Sequence, residues 1–270
     1  MHIISEQGSE RATSDSGKII SFQDRTHVSW QDVSREGYFN RVRTLDHTTG
    51  QWSEPVTLNT GVDNHARSVL AMDPDGFLHA ILGGHATNVQ WCRSVRPNDS
   101  SEWNTPRPVG VGTYPVFLSG PDGTLYLAMR GQGAERSDRG VDLFRLDPGG
   151  EWSAPYRIVQ LADEYGEAYA AFHLQMDVAP NGELHAIIDF FEGENEVSRG
   201  VHQATCYTFS DDRGFTWKRA DGTPVPPRAR PEDLDILSRN TNPRQEKLPQ
   251  PDIRNGGLVV DSSGSPFAFY

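Results

Sequence analysis

The sequence is poor in cysteine, has no surplus of positive charge and contains no long apolar run. Its 270 residues include 2 cysteines, Cys92 and Cys206, which leave a disulfide, a metal ligand or two free thiols open and favour buried free thiols. The net charge of −12 argues against nonspecific binding to nucleic acid or anionic membranes, and a polyanionic substrate would need a locally basic groove. No apolar segment approaches the roughly 20 residues of a membrane span.

The amino terminus and the composition set further bounds. MHIISEQGSE lacks the basic and then apolar segments of a signal peptide, so the chain as given does not encode export. No convincing amphipathic helix pattern is present, whereas 26 glycines, 18 prolines and 10% aromatic residues suit a large all-β fold. We therefore predict one all-β domain over residues 1–270 and expect a monomer.

A hairpin pattern recurs along the chain. Each copy has an apolar strand, a turn ending in DG, NG or SG, and a second apolar strand. The copies lie in Asp63–His85, Thr113–Arg130, Ala171–Phe190 and Asp252–Tyr270. Repeated hairpins of this kind, with no helices between them, predict a β-propeller whose blades are four-stranded antiparallel sheets.

Three tryptophans support the repeat. Trp52, Trp103 and Trp152 each follow a polar turn, precede a proline-terminated exit and stand about 50 residues apart. We count a first blade from about Gly17, further blades from about Asp63, Thr113 and Tyr169, and a fifth begun at Asp252. About four and a half blades are therefore predicted.

An Asp-box motif gives independent support. SDDRGFTW, Ser210–Trp217, matches S-x-D-x-G-x-x-W at every defined position. We expect Asp212 to cap backbone amides, Gly214 to adopt a positive φ and Trp217 to pack into the blade. The motif indicates the fold and says little about activity.

Four side chains are predicted to meet at the open ends of two hairpins. His65 and His85 lie almost equally far from the DPDG turn, so antiparallel pairing returns them to the same end. Tyr114 and Arg130 stand in the same relation to the next turn. Because equivalent hairpin ends line one rim of a propeller, we expect all four to converge on one groove.

These residue types suit proton abstraction beside a carboxylate. An arginine can pair with a uronate carboxylate and stabilise the charge that develops after loss of the α-proton. A tyrosine or histidine could remove that proton and then protonate the leaving glycosidic oxygen, as a polysaccharide lyase requires. Two alternatives stay open: a noncatalytic carbohydrate-binding propeller, and a sialidase-type glycoside hydrolase, for which opposed carboxylates would be diagnostic.

The series DNH, GGH, TYP and Arg130, with the Asp box downstream, resembles the sialidase-like BNR-repeat family of propellers that includes ulvan lyases. The resemblance runs from about His27 to the carboxyl terminus and implies a seven-bladed propeller, of which this chain would lack the last blades. It implies that His65 and His85 are active-site histidines, Tyr114 an acid/base and Arg130 the group that neutralises the carboxylate. It further implies an acidic polysaccharide of uronic acid and rhamnose 3-sulfate as substrate, and a secreted or periplasmic location.

Other candidates carry less weight. Tyr169 and Arg254 lie near the open ends of later hairpins and are predicted to bind substrate. His202 and Cys206 lie four residues apart on a predicted strand, about 13 Å when extended, which is too far for a shared ion without a bulge. We therefore predict neither metal nor cofactor, while a structural metal, with His173 as a third ligand, stays open.

Two further features of the sequence are predicted to be structural. His79 and His185 recur in FLHAI and ELHAI at one repeat position. The proline- and charge-rich segment Pro226–Asp252 predicts a long loop between blades that could act as a lid.

Overall fold

A computed structural model describes residues 3–10, 17–132, 139–160, 169–193, 201–239 and 256–270. Within these ranges the chain forms β-strands, a 3-10 helix at Pro231–Asp233 and no α-helix, as the sequence predicts. None of the described residues belongs to a helix with the length and apolarity of a membrane span. By their internal contacts the residues group into two compact units, Met1–Leu127 with Arg145–Trp152 and Ala128–Phe144 with Ser153–Tyr270. The single domain therefore stays a prediction.

The first unit begins with a five-stranded antiparallel sheet. Strands β1 to β4 lie in chain order, and β5 also pairs with β3. On β3, alternate side chains are buried, as expected of a strand with one face against the core. The strands are β1 (Ile19–Phe22), β2 (Arg25–Ser34), β3 (Gly37–Asp46), β4 (Gln51–Trp52) and β5 (Val56–Gly61).

The next four strands form an antiparallel meander that carries the first predicted hairpin. They are β6 (Ser68–Met72), β7 (Leu78–Leu82), β8 (Thr87–Arg93) and β9 (Arg107–Ser119). Gly76 closes the β6–β7 turn at φ 83°, a conformation that glycine adopts without steric cost. A core cluster joins Val42 of the first sheet to Leu70, Leu82 and Cys92 of the meander.

The three tryptophans occupy one repeated position. Each returns to pair with the third strand of its repeat, next to the polar turn that precedes it. The pairs are Trp52 with Leu45, Trp103 with Ser94 and Trp152 with Leu146. The structure thus confirms the equivalence that their spacing predicts.

The second unit repeats the antiparallel pattern. Strands β10 (Leu125–Gly131) and β11 (Gly140–Leu146) contribute residues to both units, and β12 (Tyr156–Gln160) pairs with β11. The long strands β13 (Tyr169–Val178), β14 (Leu184–Gly193) and β15 (Val201–Ser210) form a meander. The remaining strands are β16 (Trp217–Lys218), β17 (Pro224–Val225), β18 (Asp235–Arg239), and the hairpin of β19 (Gly257–Val260) and β20 (Pro266–Phe269).

The prediction of a long loop from Pro226 to Asp252 is wrong for the first part of this segment, up to Arg239. Ala229 forms a parallel bridge with Val159, and β18 pairs antiparallel with β15 as an outer strand of that sheet. The prolines and charges of this segment predict a loop, but an outer strand tolerates both. One face of such a strand is solvated, and prolines that precede the strand remove no hydrogen bond from the sheet. Residues 240–255 lie outside the described ranges.

The Asp box has the predicted turn geometry. The Asp212 carboxylate accepts the amide hydrogen of Thr216 at 2.8 Å, and Gly214 has φ 79°. Ser210 Oγ accepts the Gly214 amide at 2.8 Å, and Trp217 is buried. The motif therefore fixes a turn between β15 and β16 by local hydrogen bonds.

His79 and His185 are buried at equivalent places, each on the second strand of its meander. Trp91 Nε1 donates to His79 Nδ1 at 3.1 Å, and His185 Nδ1 lies 2.8 Å from the Tyr207 hydroxyl. Burial foremost lowers the pKa of both histidines. Each ring thus joins neighbouring strands as a neutral structural group.

Candidate active site

The loop between β5 and β6 carries His65 and is held rigidly by the first sheet. The buried amide of Gln31 donates to the backbone oxygens of Asp63 at 3.1 Å and Ala66 at 3.2 Å. The buried amide of Asn40 also donates to the Ala66 oxygen, at 2.7 Å. Gly61, just before the loop, has no room for a side chain, because a Cβ would lie 2.9 Å from that oxygen. The loop backbone is therefore fixed on both sides.

The hairpin register brings the two histidines together. Ser68 pairs with Leu82, and the Gly83 amide donates to the Arg67 oxygen at 3.0 Å, so the strands stay paired up to the open end. There the rings of His65 and His85 stack, with centroids 4.3 Å apart and planes at 27°. The antiparallel relation that the sequence predicts for this pair is present.

Asp63 binds both histidines through one carboxylate. Its Oδ1 accepts the backbone amide of His65 at 2.7 Å, and its Oδ2 lies 2.5 Å from His85 Nδ1. Burial raises the pKa of this carboxyl, but the hydrogen bonds from His65 and His85 outweigh that effect and bring the pKa below its ordinary value. Asp63 is therefore ionised at neutral pH and can only accept.

The charge on Asp63 fixes the tautomer of His85. Since an ionised carboxylate has no proton to donate, His85 Nδ1 must carry the hydrogen of this bond. In the neutral ring, Nε2 is then the acceptor. The side chain of His85 is 36% exposed, so the ring is accessible to a bound molecule.

Tyr114 completes the cluster in the first unit. Its ring lies edge-on to His65, with centroids 6.0 Å apart, and the Arg67 guanidinium carbon lies 5.9 Å from its centre. Tyr114 has φ 58°, which is uncommon for a residue with a side chain and costs strain of order 1–3 kcal/mol. The neighbouring Thr113 hydroxyl accepts the Ala86 amide at 2.8 Å, which ties this bend to the loop after His85.

The other predicted site residues are not placed with this cluster. Arg130 lies in the second unit on β10, with its residue surface 3% exposed. Tyr169 begins β13, where its backbone pairs with that of Gly193. Arg254 lies outside the described residues. The convergence of Arg130, Tyr169 and Arg254 with the two histidines therefore stays a prediction.

Two groups of side chains bear on metal binding. Asp63, His65 and His85 offer ligand atoms that all lie within 4.8 Å of one another, so these three residues could hold a metal ion. In the second unit, His202 Nδ1 lies 2.6 Å from Asp189 Oδ2, and His173 Nδ1 lies 3.7 Å from that oxygen. His202 is thus paired with Asp189, while Cys206 lies further along β15, opposite Ile188.

Sequence reasoning missed Asp63 and Arg67. Asp63 stands two residues before His65, where Asp-Asn suggests a turn rather than a histidine partner. Arg67 looks like a surface charge at the start of a strand, yet its residue surface is only 2% exposed. Their spacing from His65 identifies them as neighbours of the site only once the loop geometry is known.

Successive antiparallel sheets of this kind define an all-β fold of the β-propeller class. The chain belongs to the BNR repeat-containing family, whose model matches residues 24–270.

Relatives with assigned activities cover part of the chain. An ulvan lyase of Nonlabens ulvanivorans is 29% identical over 140 residues, which make up 42% of this chain and 29% of that protein. A PL25 ulvan lyase solved with -[GlcA(1-4)Rha3S]- has a TM-score of 0.77 at 18% identity, covering 96% of this chain and 65% of that one. The polysaccharide lyase Uly1 has a TM-score of 0.66 at 17% identity, covering 94% and 65%. The chain therefore spans less than two thirds of each relative.

Proposed function

We propose that this chain carries the site of a polysaccharide lyase, which cleaves a uronic-acid-containing, ulvan-like polysaccharide by β-elimination. The observation that carries the proposal is the cluster of Asp63, His65, His85 and Tyr114 at the open end of two hairpins. The likeness to ulvan lyases supports the same reaction.

In the proposed reaction, His85 is the base. Its Nε2 removes the proton on the carbon next to the uronate carboxylate, while Asp63 holds Nδ1 and stabilises the charge that the ring gains. The electron pair of that C–H bond becomes the new carbon–carbon double bond, and the bond from the next carbon to the glycosidic oxygen breaks. The Tyr114 hydroxyl protonates the departing oxygen.

Arg130 has the proposed role of neutralising the uronate carboxylate. Loss of the α-proton places further negative charge on that carboxylate, and a guanidinium fork can form two parallel hydrogen bonds to it. Tyr169 and Arg254 are proposed to bind neighbouring sugars. A hydrolytic reaction is disfavoured because Asp63, the carboxylate of the cluster, is already bound to both histidines.

The test is ultraviolet absorbance of the unsaturated uronate, which elimination forms and hydrolysis does not. Ulvan and other uronate polysaccharides are the substrates, and Tyr114→Phe and His85→Gln are the variants. Tyr38→Phe and His47→Gln are matched controls, since His47 is an exposed ring bonded to Thr26 Oγ1 at 2.8 Å.

We expect product from the wild type and the controls and almost none from the two site variants. New reducing ends without absorbance would instead identify a hydrolase. Binding of polysaccharide with no product of either kind would identify a noncatalytic propeller.

A further inference from the structure

A second pocket lies at the same end of the first sheet as the candidate site. It has a volume of 520 Å³ and is lined in part by Arg35, Glu36, Phe39, Arg41 and Thr60. Thr60 precedes Asp63 by three residues, so at most about 11 Å of chain separates them. One polysaccharide chain can therefore reach both places.

The pocket contains an arginine that forms an ion pair with a buried aspartate. Arg41 Nε lies 3.0 Å from Asp32 Oδ2, and the Arg41 guanidinium carbon lies 5.6 Å from the centre of the Phe39 ring. Asp32 is 5% exposed, and its Oδ1 accepts hydrogen bonds from Trp30 Nε1 at 2.7 Å and the Ser5 hydroxyl at 2.5 Å. The buried carboxylate thus accepts two hydrogen bonds at Oδ1 and forms an ion pair with Arg41 at Oδ2.

Polar groups that line the pocket can still bind a ligand. Arg41 contacts Asp32 through Nε, so the two terminal nitrogens of its planar fork remain available for a ligand. Arg35 is exposed beside it, and Glu36 and Thr60 can hydrogen-bond hydroxyl groups. Hydroxyl partners beside an ion-paired guanidinium suit a sugar that carries an anionic substituent.

We propose that this pocket is a subsite for an anionic sugar residue near the one that is cleaved, with Arg41 and Arg35 contacting its sulfate or carboxylate group. The inference rests on the proposed function for the identity of the polymer. The shared chemistry is an oxyanion on a pyranose, and the experiment separates its two sources.

Arg93 provides a matched control for Arg41. Arg93 Nη2 lies 3.5 Å from Asp73 Oδ2, and the Arg93 guanidinium carbon lies 3.5 Å from the centre of the Phe77 ring. Like Arg41, it therefore has one ion pair and one ring contact. It stands near the turn end of the β6–β7 hairpin, away from the open end. Arg93→Gln therefore removes a comparable ion pair and ring contact outside the pocket.

The experiment is affinity electrophoresis of the full chain through gels that contain intact ulvan, desulfated ulvan or carboxyl-reduced ulvan. Arg41→Gln, Arg35→Gln and Arg93→Gln are compared in a Tyr114→Phe background, so that the polymer stays uncut. We expect Arg41→Gln to weaken binding to intact ulvan about tenfold and Arg93→Gln to leave it unchanged. In the active background, the KM for polymer should rise by a similar factor while kcat stays constant.

Each outcome decides the assignment. A loss confined to sulfated polymers assigns the sulfate, and a loss confined to polymers with free carboxylates assigns the uronate. Equal binding by wild type, Arg41→Gln and Arg35→Gln overturns the subsite, as does an equal loss in Arg93→Gln. Since Arg35 is exposed, its variant keeps the test valid if Arg41→Gln fails to fold. Arg41-dependent binding without any elimination product would refute the lyase and leave the subsite standing.

Discussion

Replacing Asp63 with asparagine tests the proposed base directly. The side-chain carbonyl oxygen of the introduced asparagine can still accept the His65 amide hydrogen, which Asp63 accepts at 2.7 Å. The amide NH₂ group then faces His85 Nδ1 across a contact of 2.5 Å. A donor at that position makes Nδ1 the acceptor and moves the ring proton to Nε2. In that tautomer, Nε2 cannot take a proton from the substrate.

The expected effect follows from the loss of the base. General acid–base catalysis contributes a factor of about 10²–10⁴, and kcat for Asp63→Asn should fall within that range. KM should stay within about threefold of the wild-type value, because Asp63 is proposed to act on the ring of His85 and not on the sugar. Initial rates of unsaturated uronate formation at several polymer concentrations separate the two constants.

Asp73→Asn is the matched control. Asp73 also accepts one backbone amide, that of Phe77 at 2.9 Å, and lies 3.0 Å from a histidine, His79. The control therefore loses an aspartate–histidine pair at the turn end of the same hairpin. A kcat for folded Asp63→Asn within about threefold of wild type would refute the assignment of His85 as the base held by Asp63.

Three further predictions concern stability and reactivity. Because the folded pKa of Asp63 is depressed, its stabilisation is complete above the ordinary carboxyl range and is lost as pH falls through the folded value. In urea titrations, the wild type should have a higher free energy of unfolding than Asp63→Asn, and this difference should shrink as the pH falls from about 5 to about 3. A difference that grows on acidification would contradict the prediction. Burial raises the pKa of Cys92 and Cys206 to about 12, so a thiol reagent should label them only after unfolding. Rapid labelling of the native protein would show that the thiols are not buried. Gly61→Ala places a Cβ 2.9 Å from the Ala66 oxygen and should lower the free energy of unfolding by about 1–3 kcal/mol in chemical denaturation and reduce kcat, whereas unchanged stability would mean that the loop can shift.

Local chemistry explains why the fold was predictable. Turns such as Asp73–Gly76 require residues that tolerate tight geometry, and the apolar runs on either side have only one antiparallel register that keeps them buried. The tryptophan positions and the Asp box are likewise set by neighbours in sequence. Hence the sequence predicts the hairpins, their repetition and the meeting of His65 with His85.

Contacts between distant segments explain what was not predictable. Asp63 faces His85 because Gln31, thirty-two residues earlier, holds the backbone of its loop. Arg41 lines the second pocket and forms an ion pair with Asp32, a buried residue of the neighbouring strand. No periodicity marks such pairs, since each depends on the relative placement of strands and not on local pattern.

The two aspartate–histidine pairs of the β6–β7 hairpin show how the proposed base differs from a structural histidine. At the turn end, both ring nitrogens of His79 are engaged, by Asp73 and by Trp91, and burial foremost lowers its pKa. At the open end, Asp63 engages only Nδ1 of His85, whose side chain is 36% exposed. The same pair of residue types is therefore structural at the turn end and forms part of the proposed site at the open end. Residue identity alone does not decide between these roles, because the burial of the ring and the engagement of its nitrogens differ between the two ends.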